Sequence, residues 1–182
     1  MSQPAARQEA RVIAKGRYLT LLEEGGWEYV TRPGITGVVV IVPFTPDGKL
    51  VLIEQRRPAV GRSVVELPAG LVGDLDGQPQ ESLLDAARRE LIEETGYAAS
   101  ELVPLGDGPV AVGVCDEIVT IILARGLSRV GPGGGDATEQ ITVREVALAD
   151  LPRFLDERKQ AGLAIDVKLF AGLWLAGVTV PR

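Results

Sequence analysis

Glu90, Glu93 and Glu94 stand at i, i+3 and i+4 in the segment Glu81-Ser82-Leu83-Leu84-Asp85-Ala86-Ala87-Arg88-Arg89-Glu90-Leu91-Ile92-Glu93-Glu94-Thr95-Gly96. On a helix that spacing puts the three carboxylates on one face. Crowded carboxylates raise one another's pKa and need positive charge beside them. Arg89 supplies part of it. One or more Mg²⁺ or Mn²⁺ ions would supply the rest, because carboxylate oxygens are the hard donors such ions take. The same residues also suit a solvated helix face, with Arg88 and Arg89 in surface ion pairs. The cluster alone leaves both readings open.

Composition narrows the chemistry. The 182 residues include no histidine and one cysteine, Cys115. Without imidazole, Ser-His-Asp and Cys-His mechanisms and ordinary zinc hydrolase sites are excluded. A single cysteine excludes an intramolecular disulfide and a cysteine zinc site, and fits a reducing compartment. The net charge of −6 argues against nonspecific nucleic-acid binding. It also means that a phosphate substrate would need a divalent cation between it and the carboxylates. With 46% apolar and 24% charged residues, the chain can bury a core without disulfide staples. The first ten residues, MSQPAARQEA, do not read as a signal peptide. Apolar runs such as Gly37–Phe44 are too short to span a bilayer. The expectation is a cytoplasmic protein with neither a membrane nor a nucleic-acid partner.

The elements that must position the glutamates can be read around them. Residues 1–10 read as a loose tail. Arg11–Leu22 carries scattered apolar positions, and Glu23-Glu24-Gly25-Gly26 is a turn signal. Trp27–Val30 then alternates, which predicts a hairpin. Ile35–Phe44 is rich in β-branched residues and reads as a buried strand. Pro46-Asp47-Gly48 turns the chain into a returning strand over Leu50–Gln55. Val64–Leu67 reads as a short strand, and residues 71–80 as a Gly- and Asp-rich loop. The spacing of Leu83, Leu84, Ala87, Leu91 and Ile92 predicts a helix from about Gln80 to Thr95, ended by Gly96. Strand material is expected around Glu117, a mobile loop over 131–138, and a strand over Ile141–Leu148. Two closing helices, Ala149–Gln160 and Ile165–Leu175, complete an α+β reading with a mixed sheet.

Read outward from the cluster, Glu81, seven residues and then Arg89-Glu90-Leu91-Ile92-Glu93-Glu94-Thr95-Gly96-Tyr97 resembles the Nudix box, E-x7-R-E-U-x-E-E-x-G-U with U apolar. The box glycine that normally precedes the first glutamate is replaced by Leu75. Glu66-Leu67-Pro68-Ala69-Gly70 looks like the family's usual approach to the box, which makes Gly70 that glycine and leaves the 71–80 loop longer by about five residues, a tolerable loop insertion. The resemblance implies a Nudix fold: a mixed β-sheet sandwiched by helices (α/β/α), with an N-terminal β-hairpin or strand extension. It implies residues 1–34 as that extension, for dimerisation and base binding, and 35–182 as the hydrolase domain. Glu90 and Glu94 would be the main metal ligands. Glu93 would share or bridge through water, and the Ala69 carbonyl would add an oxygen. Arg89 would orient the carboxylates. Glu81 would either cap the helix or meet a metal through water.

Val51–Pro58, Val64–Gly70, and Trp27–Val30 followed by Arg32 resemble the ADP-ribose pyrophosphatase subfamily. That likeness implies Trp27 stacked on adenine and Arg57 on phosphate, with Arg56 adjacent. As plain structure, Trp27 would be a core or dimer-interface aromatic, and the two arginines an exposed strand-end pair. Glu139, or a box glutamate such as Glu93, becomes the candidate base, with Asp136 the substitute for Glu139; as plain structure Glu139 would be an ordinary acidic loop residue. Asp116 and Glu117 would touch the terminal ribose or a metal. The implied reaction is Mg²⁺-dependent hydrolysis of the diphosphate of ADP-ribose, or a related nucleoside diphosphate sugar, to AMP and ribose 5-phosphate by a homodimer. Two alternatives share the box: another nucleoside diphosphate derivative as substrate, and a non-catalytic nucleotide-sensing module.

Overall fold

The computed structural model describes residues 10–74, 81–135 and 139–179. Fourteen named elements follow in order: β1 (Arg11–Lys15), β2 (Thr20–Glu24), β3 (Trp27–Thr31), β4 (Gly37–Pro43), β5 (Lys49–Arg57), β6 (Arg62–Glu66), β7 (Ala69–Val72), α1 (Leu83–Thr95), β8 (Tyr97–Pro109), β9 (Ile118–Arg129), β10 (Ile141–Ala147), α2 (Leu151–Gln160), β11 (Ala164–Ile165) and α3 (Val167–Leu175).

Two four-stranded sheets, ordered β7-β4-β9-β8 and β10-β5-β6-β11, form the body. Each is mixed, since β4 runs parallel to β9, and β11 to β6. Val39, Val40, Ile41 and Val42 of β4 are all fully buried, because both faces are covered. Val39 and Ile41 pack with Ala86, Ala87 and Leu91 of α1. Val40 and Val42 pack with Leu151 and Leu155 of α2 and Leu169 and Leu173 of α3. A strand buried on both faces reads as an unbroken apolar run, as this one does. Each such Leu or Ile contributes about 1.5–3 kcal/mol by burial. The arrangement is the expected helix–sheet–helix sandwich.

The third sheet, β1-β2-β3, stands largely apart. Every residue of β1 is exposed. β3 reaches the body where the Val30 N–H donates to the Val114 carbonyl at 2.8 Å. No helix among the described residues is long and apolar enough to cross a membrane.

Three strands differ from the sequence reading, one of them β11, which pairs with β6 at Ala164–Ile165 where a helix was expected to begin at Ile165. Ala69–Val72 pairs antiparallel with β4, although it begins the stretch read as loop. Tyr97–Pro109 forms a long strand that the pattern did not reveal. Pro104, Gly106, Gly108 and Pro109 interrupt its signal, and it tolerates them as an edge strand with a register shift between Pro104 and Gly106. The strand expected around Glu117 starts just after it, at Ile118.

Candidate active site

The glutamate helix is set by its ends and by its core face. Ser82 caps the start, its hydroxyl accepting from the Asp85 N–H, and Gly96 ends it in the left-handed region at φ 75°. Packing of Ala86, Ala87 and Leu91 against β4 turns the neighbouring Glu90 and Glu94 inward as well. Glu94 is 2% exposed and Glu90 8%. The three glutamates therefore do not share one environment. Glu93 lies past the edge of the buried face, its side chain 48% exposed.

The inward pair is short of positive charge. Glu94 Oε2 accepts from the Ala69 N–H at 2.9 Å, and Glu90 Oε1 accepts from Arg89 Nη1 at 2.7 Å. Burial pushes the Glu94 carboxyl up to about 9 and the Glu90 carboxyl to about 7. Gly70 makes the close approach possible, since a Cβ there would fall 1.9 Å from Glu90 Cδ.

Arg89 braces the helix against the loop before it. Nε donates to Glu81 Oε1 at 3.0 Å, and Nη2 donates to the Leu71 carbonyl at 3.1 Å and to Asp74 at 2.9 Å. Nη1 also reaches Glu93 at 3.3 Å. Glu81 further accepts from the Gly73 N–H at 3.2 Å, so it anchors the loop, while Ser82 does the capping. One guanidinium thus holds both ends of the longer loop, whose residues 75–80 lie outside the described set.

Facing the helix, β5 presents alternate residues. Val51 packs on the α1 side, so Ile53, Gln55 and Arg57 point the same way. Arg57 forms a forked ion pair with Glu66, Nη2 to Oε2 at 2.6 Å and Nε to Oε1 at 3.0 Å. Burial and this pair leave Glu66 almost inaccessible, at 6%. Ile141 of β10 pairs with Gln55, which brings Glu139, just before β10, to the same end of β5. Glu139 Oε1 accepts from Gln55 Nε2 at 3.1 Å.

These groups open into one cleft of about 760 Å³ lined by Arg57, Glu66, Ala69, Glu90, Glu117 and Glu139, among others. Glu94 lies behind the wall, against Ala69. Glu117 enters with Arg32, whose Nε donates to it at 2.6 Å. Four residues expected at the site, Asp116 among them, are not brought to it. Arg56 is exposed on the other face of β5, Glu93 faces outward, and Trp27, 71% exposed, lines a separate depression with Tyr29 and Asp116. Asp136 lies outside the described residues. Sequence reasoning gave no role to Gln55 or Glu66. Alternation along β5 was the available signal for Gln55, but the Arg57–Glu66 pair joins positions that the strand register sets apart, Arg57 opposite Arg62 and Glu66 opposite Ile53, so no sequence signal could have found it.

Among the described residues no three acidic groups form a ready-made metal cage. The donors still fit a divalent cation. Two buried carboxylates, one turn apart and insufficiently neutralised, are hard oxygen ligands whose high pKa values a cation would lower.

A mixed-sheet sandwich that buries a carboxylate pair from its inserted helix against a strand-turn at Ala69-Gly70 is built as a Nudix domain is. The NUDIX domain model matches residues 35–164, and the chain belongs to that family. The chain is 34% identical over 133 residues to an ADP-ribose pyrophosphatase of Bacillus subtilis, covering 72% of this chain and 68% of that one. A Bacillus methanolicus protein named methanol dehydrogenase activator is 32% identical over the same shares. An ADP-ribose pyrophosphatase of Mycobacterium tuberculosis is 42% identical over 108 residues, 58% of this chain and 50% of that one. The crystal structure of an ADP compounds hydrolase shares the fold, with TM-score 0.68 at 24% identity, covering 96% of this chain and 92% of that one. The chain is a Nudix hydrolase related to ADP-ribose pyrophosphatases.

Proposed function

We propose that the protein hydrolyses the diphosphate of ADP-ribose, or of a closely related nucleoside diphosphate sugar, to AMP and ribose 5-phosphate, with Mg²⁺ or Mn²⁺ as cofactor. The observation that carries this reading is the under-neutralised pair Glu90 and Glu94, Glu90 lining one cleft with Arg57 and Glu139 and Glu94 just behind its wall. The two ADP-ribose pyrophosphatase relatives supply the substrate class.

Glu90 and Glu94, with the Ala69 carbonyl, would hold the cation, and Glu93 would join through water. Bound there, a divalent ion would screen the diphosphate, polarise the phosphoryl group and acidify water. Arg89 keeps Glu90 aimed at the cleft. Arg57 offers a guanidinium to phosphate oxygens, at the cost of loosening its pair with Glu66. Glu139 takes the proton of the attacking water. Glu117 and Arg32 close the end of the cleft where the sugar would lie.

Trp27 would stack on adenine, yet it does not reach the cleft of its own chain. The wholly exposed β1 and the exposed Trp27 favour a homodimer in which the 1–34 extension of one subunit completes the other's site. Residues 35–182 would then form the hydrolytic domain. The displaced Trp27 equally favours a second reading, a Nudix hydrolase of another nucleoside diphosphate derivative. A substrate panel with AMP release as readout separates the two.

The test is ADP-ribose turnover by wild type and Glu94→Gln, each with Mg²⁺ and with EDTA. Wild type turns over only with Mg²⁺, and Glu94→Gln loses at least about a hundredfold in kcat/KM. Equal turnover by both proteins would defeat the assignment. Nucleotide binding without turnover in Mg²⁺ would point to a sensing module instead.

A further inference from the structure

Glu139 is held from two sides by groups that the reaction itself does not require. On one side is Gln55, a polar residue 6% exposed within β5 between Val64 and Ile141. Its Nε2 donates to Glu139 Oε1 at 3.1 Å, while its own Oε1 is buried and has no partner among the described residues. A buried amide with its acceptor idle costs about 1–3 kcal/mol, which an apolar side chain of similar size would avoid. Its cross-strand neighbours, Val64 and Ile141, are both apolar. The donor to Glu139 is the return for that cost.

On the other side is Gly135, at φ 79°. A Cβ there would lie 2.6 Å from Glu139 Oε2 and 2.8 Å from Glu139 Cβ. Its N–H donates to the Glu93 carbonyl at 3.0 Å, and the Gly134 N–H donates to the Glu94 carbonyl at 2.9 Å. The glycine segment therefore caps the last turn of α1 and ties the far wall of Glu139 to the glutamate helix. Residues 134 and 135, within the 131–138 stretch read as a mobile loop, make these two bonds, and residues 136–138 lie outside the described set.

We infer that Gln55 is a positioning residue that orients the Glu139 carboxylate beside the glycine segment, with its amide aiming one carboxylate oxygen. The inference rests on the reading of Glu139 as the proton acceptor.

The test is a four-member cycle in ADP-ribose hydrolysis with Mg²⁺: wild type, Gln55→Leu, Glu139→Gln and the double variant, with thermal melting of each. Gln55→Leu is expected to lower kcat by about ten- to a hundredfold with KM within about threefold, and to melt no lower than wild type. In the Glu139→Gln background the same substitution is expected to change kcat by less than about twofold, because nothing is left to position. A full, additive loss in that background would overturn the inference while leaving the functional reading intact. So would an unchanged kcat in Gln55→Leu alone. If Glu139→Gln alone kept wild-type kcat, the base assignment would fall, and the role of Gln55 with it. A wild-type protein inactive on every nucleoside diphosphate sugar would overturn the functional reading itself.

Discussion

Replacing Glu94 by glutamine is expected to stabilise the metal-free protein. Burial holds the Glu94 carboxyl at about 9, from an ordinary value of 4.5, with repulsion from Glu90 and Glu139 added and the Ala69 N–H and Arg57 opposing. The unfolded chain releases this proton near pH 4.5, while the folded chain keeps it to about pH 9. Between those values the folded state binds the extra proton, so stability falls as pH rises. The cost is absent below pH 4.5 and complete above about pH 9. Because pH 7 lies about 2.5 units above the unfolded value and below the folded one, at about 1.4 kcal/mol per unit the cost there is about 3 kcal/mol. Glutamine carries no charge, and its amide oxygen can still accept from Ala69. Melting in EDTA should therefore place Glu94→Gln above wild type at pH 7 by roughly 6–12 °C, given about 2–4 °C per kcal/mol for a chain of this size. The gap should close toward pH 5. Added Mg²⁺ should raise the wild-type Tm and leave the variant unmoved. A metal-free variant less stable than wild type at pH 8, or equal Mg²⁺ stabilisation of both, would refute the reasoning.

Two further outcomes follow from the geometry. Gly70→Ala places a Cβ 1.9 Å from Glu90 Cδ, so Glu90 must leave its position; Mg²⁺-dependent turnover should drop at least about a hundredfold while circular dichroism is unchanged. Trp27→Ala should raise KM for ADP-ribose about tenfold or more with little change in kcat, and sedimentation should show whether the dimer survives; an unchanged KM would remove Trp27 from base recognition.

The legible parts of this protein were those governed by local periodicity. The helix over Leu83–Thr95 could be read from its apolar spacing and its Gly96 stop, and β4 from its β-branched run. What escaped depends on partners distant in sequence. β7 becomes a strand because β4 offers it an edge, and β8 survives two prolines because β9 pairs along its length. Spacing alone put Glu93 with Glu90 and Glu94. Separating them needed the direction of the core, since the i+3 position falls just outside the buried arc that Ala87, Leu91 and Glu94 define. Likewise Arg56 and Arg57 are neighbours in sequence but lie on opposite faces of β5, and only the direction of the α1 side, marked by Val51, selects Arg57.

Arg89 offers a way to separate stability from activity. Its guanidinium bonds Glu81, Asp74, Glu90 and the Leu71 carbonyl together, and Glu81 holds it well above its ordinary pKa. Lysine is one compact charge and cannot fork to those partners. Arg89→Met leaves the Glu81 side chain, 3% exposed, without its countercharge, and breaking such a buried pair costs about 3–5 kcal/mol. Adding Glu81→Gln removes the stranded charge, so the double variant should regain most of the urea midpoint lost by Arg89→Met. It should not regain turnover, because Glu90 still lacks the donor that aims it. If the double variant recovered both, Arg89 would serve only to neutralise Glu81, and the orientation of Glu90 would have to come from Gly70 and the packing of α1 alone.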